Sequence, residues 1–313
     1  MTAKSDGLAR WLDPEIRAFI ARTGGFYPDE SDTTDIAESR RLYGRLCEGF
    51  RAPRPAGVAV ADAAMGSVPV RRYRPPQQMH AAVLLYCHGG GFVLGGLDSH
   101  DDVCAELCAG AGIEVVSVDY RLAPEHVYPA ALDDVETAYR ALAAEGRRIL
   151  VGGDSAGARL AAALCLRLRR SGTAQPAGQI LIYPGLSSDP LRVAGSRAAT
   201  APGLTAADCV YYNRAFAGGD APAGDAEFAP LDADDASGLA PAAIFAAGYD
   251  PLRQDAEDYA AVLHAAGVPV SYRDDPGLIH GWLRARHMSR LAARAFAAVL
   301  RAAAALAAGD LPA

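Results

Sequence analysis

The chain lacks any uninterrupted apolar run of roughly 18 residues, the length that a helix needs to cross a bilayer. Its amino-terminal residues 1–6 also lack the apolar core of a secretory signal peptide. Both absences argue against a membrane-bound or secreted protein. The sequence therefore predicts no membrane span and favours a cytoplasmic location.

Blocks of basic residues and clusters of metal ligands are missing as well. The net charge is −7 and no Lys/Arg block stands out, so we expect no nucleic-acid partner. Cys104 and Cys108 are one helical turn apart, but no further His or Cys completes a metal site around them, so no metal is expected. Without a secretory signal, the cysteines are interpreted as reduced and mostly buried thiols. They are Cys47, Cys87, Cys104, Cys108, Cys165 and Cys209.

Short apolar runs alternate with helical patterns along most of the 313 residues. The runs that are typical of strands lie at 58–60, 68–73, 82–87, 113–118, 149–153, 179–183, 242–248 and 268–272. Repeated buried strands between helices predict an α/β fold, with a mostly parallel central sheet covered by helices on both faces. In such sheets, the functional loops follow the carboxyl ends of the strands.

Two segments fall outside this alternation. Residues 1–50 are predicted to form helices, the first capped by Asp13 and the second by Thr33 or Thr34. Residues 51–313 then form the sheet domain, which ends in a long Ala-rich helix over 286–308. Within that domain, residues 186–228 are too long for an ordinary connection and predict an insertion with its own helix at 205–216.

A serine between two glycines follows the predicted strand at 149–153. The residues are Gly153-Asp-Ser155-Ala-Gly157, and an Ala/Leu-rich helical pattern begins directly after them. Glycines at this spacing allow the sharp strand-to-helix turn that lifts a nucleophilic hydroxyl above the sheet. A structural turn or a phosphate loop has the same local pattern, so the rest of the chain must decide between them.

Consecutive glycines after the strand at 82–87 point to a second part of the same chemistry. The loop reads His88-Gly89-Gly90-Gly-Phe92, and bare backbone amides of this kind can approach an anion closely. Ester hydrolysis needs such donors for the oxyanion of its tetrahedral intermediate. We assign the amides of Gly89, Gly90 and Ala156 to this oxyanion hole, and we expect His88 to hold the loop by hydrogen bonding.

A serine nucleophile needs a histidine base and an acid to orient it. In enzymes with this elbow the acid and then the histidine follow the serine along the chain. His280 lies in a loop after a strand and has glycine beside it, whereas His264 and His287 fall in helical patterns. Asp250 follows the strand at 242–248, and helix capping is its alternative role. The predicted catalytic residues are therefore Ser155, Asp250 and His280.

Four blocks together resemble the bacterial hormone-sensitive-lipase-like family of α/β-hydrolase esterases. They are HGGGF at 88–92, YRLAPE at 120–125, GDSAG at 153–157, and Asp250-Pro-Leu with His280-Gly, and the likeness spans about 68–300. The resemblance implies an α/β-hydrolase fold in which the amino-terminal helices and the 186–228 insertion form a cap. It also implies hydrolysis of short- to medium-chain carboxylic esters without a cofactor.

The specific substrate is less well indicated by the sequence. Candidate lining residues are Phe92, Tyr183, Leu204, Tyr211, Tyr212, Phe216, Ile279 and Trp282, for each of which core packing is an equal alternative.

Arg121 and Glu125 are expected to pair and brace the loops, and Asp154 to brace its neighbours. An amidase or arylformamidase, a deacetylase of acetyl esters, and a non-catalytic small-molecule receptor remain as alternatives. The terminal helix suits either a homodimer or simple coverage of the sheet.

Overall fold

One twisted sheet of eight strands organises the part of the chain that the computed structural model describes, residues 12–27 and 35–311. The strands are β1 (Ala59–Met65), β2 (Val68–Arg74), β3 (Ala82–Cys87), β4 (Glu114–Val118), β5 (Arg148–Asp154), β6 (Gly178–Ile182), β7 (Ala242–Tyr249) and β8 (Val270–Ile279). Their order is β1-β2-β4-β3-β5-β6-β7-β8. The pairs β1–β2 and β2–β4 are antiparallel and the other five pairs are parallel, so the predicted mostly parallel sheet is confirmed.

Nine α-helices accompany these strands in the described residues. They are α1 (Pro14–Gly24), α2 (Ile36–Phe50), α3 (Asp101–Ala111), α4 (Ala130–Ala144), α5 (Ala156–Arg170), α6 (Pro190–Ala194), α7 (Ala206–Ala217), α8 (Arg253–Ala265) and α9 (Arg290–Ala308). Short 3₁₀ turns lie at Pro230–Asp232 and Trp282–Ala285.

The helices cover both faces of the sheet and produce two apolar layers. Alternate residues of β3 belong to different layers: Val83 and Leu85 pack in one, Leu84 and Tyr86 in the other. The first layer contains side chains of α4, α5 and α8, and the second contains those of α1, α2, α3 and α9. Because β3 is buried throughout, it has the continuous apolar sequence of a strand covered on both sides.

The start of each amino-terminal helix depends on an aspartate. Asp13 caps α1 as predicted, its side chain accepting a hydrogen bond from the Glu15 amide. Asp35 caps α2 by accepting from the amides of Ala37 and Glu38. Thr33 and Thr34, the predicted caps of this helix, lie outside the described residues.

The carboxyl-terminal region differs from the prediction in two places. Strand β8 continues to Ile279, seven residues past the predicted end at residue 272, because β8 lies at the edge of the sheet, where charged residues and Pro276 are tolerated. Helix α9 begins at Arg290 and not at residue 286, because Ser289 caps it by accepting a hydrogen bond from the Ala292 amide. Accordingly, His287 precedes this helix.

Helix α9 is long and apolar enough to cross a membrane by length and composition. In the structure, Phe296, Val299 and Leu306 instead pack in the second core layer. This packing is typical of a core helix that covers a sheet.

Candidate active site

The predicted site residues converge at the carboxyl ends of the parallel strands. Ser155 follows β5, Asp250 follows β7 and His280 follows β8, while the glycine loop leaves β3. These strands are close in the sheet and point the same way, so residues distant in the sequence meet at one edge.

Ser155 occupies a strained strand-to-helix turn. Its φ is 54° and its ψ is −119°, a conformation that non-glycine residues rarely adopt. The Ser155 amide donates to the Ile182 carbonyl oxygen at 2.9 Å, which ties the turn to β6. A β-carbon at Gly153 or Gly157 would overlap the carbonyl oxygen of Cys87, so the two glycines are required by the close approach of β3.

His280 lies between the serine and the aspartate. Its Nε2 atom is 2.9 Å from Ser155 Oγ, and its Nδ1 atom is 2.6 Å from Asp250 Oδ2. Asp250 is 2% exposed, and its Oδ1 atom accepts from the Leu252 amide at 2.9 Å. In the tautomer with the ring proton on Nδ1, His280 donates to Asp250 and its Nε2 atom can accept from the Ser155 hydroxyl.

The glycine loop corrects one assignment made from the sequence. The amide of Gly89 donates to Asp154 Oδ1 at 2.9 Å and is therefore already engaged, so its assignment as an oxyanion donor is wrong. Gly90 and Gly91 have φ values of 129° and 61°, and their amides have no hydrogen-bond partner among the described residues. Ala156 is the first residue of α5, where the amide has no partner within the helix.

Asp154 forms a buried hydrogen-bonded centre beneath the loop. Besides Gly89, it accepts from the Tyr86 hydroxyl at 2.8 Å and the Tyr183 hydroxyl at 3.2 Å, and it lies 3.3 Å from His100 Nε2. Burial opposes ionisation, but the charge of His100 and the hydrogen bonds from His100 and Tyr86 outweigh it and hold the pKa of Asp154 well below its ordinary value. The prediction that Asp154 braces its neighbours is confirmed.

His88 is also a structural hydrogen-bonding residue, as predicted. It is fully buried, its Nδ1 atom is 2.9 Å from the Gly89 carbonyl oxygen, and its own carbonyl accepts from the Tyr120 hydroxyl at 2.7 Å. Burial and the neighbouring His100 lower the pKa of His88 to about 4. A neutral imidazole therefore holds the loop near pH 7.

Tyr86 and His100 are partners of Asp154 that the sequence did not indicate. Tyr86 lies within the continuous apolar run of β3, where its hydroxyl gives no separate signal. His100 precedes α3 and its ring is buried, but its neighbours in the sequence do not indicate this.

The residues predicted to line the pocket have different environments. Phe92 is buried and stacks on Phe216 with ring centroids 3.8 Å apart. Tyr211 is exposed, and Tyr212 packs where a side chain at Gly91 would otherwise lie. The ring of Tyr183 lies 4.7 Å from that of His280.

Two further candidates are core residues. Trp282 is fully buried and packs edge-on against Tyr183, with ring centroids 5.8 Å apart, and Ile279 is 1% exposed. Both belong to the second core layer, and their role in lining the pocket stays a prediction.

The expected ion pair between Arg121 and Glu125 is also absent. Arg121 instead binds Asp134, with Nε 2.9 Å from Oδ2. Glu125 pairs with Arg40 of α2 at 2.7 Å. The block at 120–125 therefore braces two different elements. In the described part of the chain, no group of three or more His, Cys, Asp or Glu side chains is arranged to hold a metal ion.

The arrangement of strands and site residues defines the class of an α/β hydrolase. A family model described as the alpha/beta hydrolase fold matches residues 84–284 of this chain. That range contains most of β3, all of β4 to β8, and the three residues Ser155, Asp250 and His280.

Named relatives narrow the class further. The chain is 43% identical over 233 residues to "Esterase LipI" of Mycobacterium tuberculosis, covering 71% of this chain and 73% of that protein. It is 38% identical over 229 residues to "Ethyl acetate hydrolase" of Pseudomonas putida, covering 70% and 72%. A crystal structure of an esterase from the bacterial hormone-sensitive lipase family matches with a TM-score of 0.84 and 27% identity, covering 93% and 98%.

The chain therefore belongs to the bacterial hormone-sensitive-lipase-like family of α/β hydrolases, and it is a carboxylic ester hydrolase. This confirms the resemblance that the four sequence blocks indicated.

Proposed function

We propose that this enzyme hydrolyses short- to medium-chain carboxylic esters through an acyl-enzyme on Ser155. The observation that carries the proposal is the continuous path from Ser155 Oγ through His280 to Asp250, at 2.9 Å and 2.6 Å. Asp250 orients the histidine, which leaves Nε2 placed to take the serine proton.

The reaction has two halves. Ser155 Oγ attacks the ester carbonyl carbon while its proton passes to His280 Nε2, and the tetrahedral intermediate then expels the alcohol, which takes that proton. A water molecule next gives its proton to His280 and attacks the acyl carbon. Collapse of the second intermediate returns the proton to Ser155 and releases the carboxylic acid.

The oxyanion donors in this proposal are the amides of Gly90, Gly91 and Ala156. Gly91 takes the place first assigned to Gly89, because the amide of Gly89 already donates to Asp154. In this role, Asp154 keeps the loop in place while the two following amides stay free. Each such donor contributes roughly 3–4 kcal/mol to lowering the barrier.

The 186–228 insertion, with the amino-terminal helices, is proposed to act as a cap over the site. Two contacts support this role of the insertion: Tyr212 packs on Gly91 of the loop, and a β-carbon at Gly203 would lie 3.0 Å from the carbonyl oxygen of His280. A covered site favours small esters over long lipids. The Pseudomonas putida relative is named for ethyl acetate, which supports the short-chain assignment.

Replacement of Ser155 by alanine tests the nucleophile. We expect kcat to fall by at least about 10⁴-fold with an unchanged melting temperature, because the hydroxyl is lost while the backbone of the elbow remains. Ser171→Ala, at the far end of α5, is the matched control and should keep its turnover. Near-native turnover in Ser155→Ala would disprove the mechanism.

A panel of p-nitrophenyl esters from acetate to palmitate, with the matching anilide, tests the substrate class. We expect kcat/KM to be highest for short and medium chains and negligible for the anilide. A preference for the anilide would instead favour the amidase alternative. Activity confined to the acetyl ester would favour a deacetylase.

A further inference from the structure

Arg159 is a buried cation next to the elbow that the proposed mechanism does not use. It is 4% exposed and lies one helical turn after the nucleophile, where its amide donates to the Ser155 carbonyl oxygen at 3.2 Å. Its guanidinium extends to the insertion. There Nη1 donates to Asn213 Oδ1 of α7 at 2.7 Å.

The remaining hydrogen bonds of Arg159 hold the start of the insertion. Nε donates to the Gly185 carbonyl oxygen, and Nη2 donates to the Ser187 carbonyl oxygen at 3.0 Å. Residues 185–187 are the peptide segment that leads from β6 into the insertion. The planar guanidinium fork suits this pair of carbonyls, which a lysine ammonium cannot match with the same geometry.

Asp255 binds the same segment through the complementary backbone groups. It is 1% exposed, and its Oδ2 atom accepts from the amides of Leu186 and Ser187 at 2.8 and 2.9 Å. Its Oδ1 atom accepts from Arg192 Nε at 2.8 Å, which attaches α6 of the insertion as well. Arg159 thus donates to two carbonyl oxygens of residues 185–187, and Asp255 accepts from two amides of the same segment.

Carbonyl oxygens, an amide oxygen and aromatic rings surround the buried guanidinium of Arg159. Arg159 makes no ion pair with a carboxylate in residues 12–27 or 35–311, and a buried charge of this kind is costly unless dipoles and rings satisfy it. Its guanidinium carbon lies 5.4 Å from the Phe92 ring centroid and 5.8 Å from that of Phe228. Arg159 lies on α5, the helix that follows the nucleophile. Because Phe92 belongs to the glycine loop, the side chain of Arg159 connects that helix to the loop and to the insertion.

We propose that Arg159 and Asp255 form a clamp on residues 185–187 that positions the insertion over Ser155 and thereby sets which acyl chains the enzyme accepts. Both are positioning residues, since neither touches the reacting atoms. The inference rests on the proposed function, in which the insertion covers the site.

Arg159→Lys and Arg159→Met test the clamp with p-nitrophenyl esters of increasing acyl length. A loosened insertion should raise KM for the acetate ester by at least about fivefold while kcat stays within about threefold. The kcat/KM ratio of octanoate to acetate should rise, because longer chains gain room. Lysine retains the charge without the fork, so it should restore only part of the wild-type ratio.

Arg169→Met is the matched control, because Arg169 lies on the same helix and donates to the Ser237 carbonyl oxygen, outside the insertion. It should keep the wild-type KM and chain-length ratio. If the Arg159 variants lose kcat/KM by one common factor for every ester, or show no change, the clamp does not set specificity and the proposal is wrong.

Asn213→Ala removes one clamp partner and leaves the buried charge, so it keeps the test decisive if the Arg159 variants do not fold. It should shift the chain-length ratio in the same direction by a smaller factor, and an unchanged ratio would overturn the proposal. If Ser155→Ala is inactive and the clamp variants keep the wild-type ratio of kcat/KM for octanoate to acetate, the clamp alone is rejected. An active Ser155→Ala would reject the proposed mechanism instead.

Discussion

Gly157 shows how closely the residues of this site are packed against backbone. A β-carbon there would overlap the carbonyl group of Cys87 and approach the carbonyl oxygen of His88 to 2.7 Å. Backbone atoms of β3 cannot move away without disturbing the glycine loop that follows that strand. The position therefore requires glycine because of the close approach, in addition to any need for turn flexibility.

Gly157→Ala should lower the free energy of unfolding by about 1–3 kcal/mol and reduce kcat, since the overlap displaces both the elbow and the loop. Gly44→Ala in α2 is the control, because a β-carbon there meets nothing within 4 Å. That control should be neutral or stabilise by about 0.5–1 kcal/mol. Urea unfolding and esterase assays of both variants measure the difference, and a silent Gly157→Ala would contradict the packing argument.

His88 makes stability depend on pH. Its folded-state pKa of about 4 lies below the ordinary value of 6.5, so the unfolded chain takes up the proton first. The contribution of neutral His88 is therefore complete above about pH 6.5 and is lost as the pH falls toward 4, on the order of 3 kcal/mol at most.

His88→Asn removes this titration while its side-chain amide can still donate to the Gly89 carbonyl. Between about pH 7 and pH 4.5, we expect the free energy of unfolding to fall less in the variant than in the wild type. Denaturant titrations across that range measure both slopes. Parallel slopes would show that His88 is not the responsible group.

At the scale of elements, α2 is attached to the loops around the glycine segment through one side chain. Arg40 donates from Nε to the Val93 carbonyl oxygen at 2.9 Å and from Nη2 to that of Ala123 at 3.0 Å, and it pairs with Glu125 through both nitrogen ends. The helix is thereby connected to two loops at the carboxyl edge of the sheet. This attachment explains why the block at 120–125 is braced from outside the sheet domain.

Arg40→Met should lower the free energy of unfolding by about 1–3 kcal/mol, because two carbonyls and a carboxylate lose a charged donor. Among the described residues, the neighbouring Arg41 pairs with Glu38 alone, on the surface of the same helix, so Arg41→Met should change stability by less than about 0.5 kcal/mol. Thermal or urea melts compare the two variants. Equal losses would mean that α2 is not anchored through Arg40.

Elements buried on both faces were the ones that the sequence predicted well. The bounds of β3 agree with the predicted 82–87 run, because a covered strand is apolar throughout. The edge strand β8 was predicted too short, because a proline such as Pro276 is found both in turns and in edge strands. Ser155, Asp250 and His280 could be predicted to meet because each follows a strand of the parallel sheet. In contrast, no pattern in the sequence indicates that the Gly89 amide donates to Asp154.

For the whole molecule, the cysteines indicate an interior that is closed to reagents. All six are free and buried in the described structure, as the sequence predicted, and burial raises the pKa of Cys165 to about 12. Thiolate is therefore scarce in the folded protein at neutral pH.

Reaction with an aromatic disulfide reagent should be slow for all six thiols in the native protein and complete once the chain is unfolded in guanidinium chloride. Activity should also be unaffected by a reducing agent. One thiol that reacts within seconds in the native state would contradict the burial pattern.

The cytoplasmic location and a homodimer stay predictions. Equilibrium sedimentation of the purified enzyme distinguishes the dimer from a monomer in which α9 only covers the sheet.

The insertion has a consequence for engineering. Its chain leaves β6 and rejoins the sheet at β7, while the three proposed catalytic residues stand on the sheet and its strand ends. Under the proposed function, replacing residues 186–228 by the matching segment of a relative should change the substrate preference while the catalytic residues stay the same. The grafted segment must present backbone groups that Arg159 and Asp255 can bind. These two contacts are therefore the first to check when a chimera is designed.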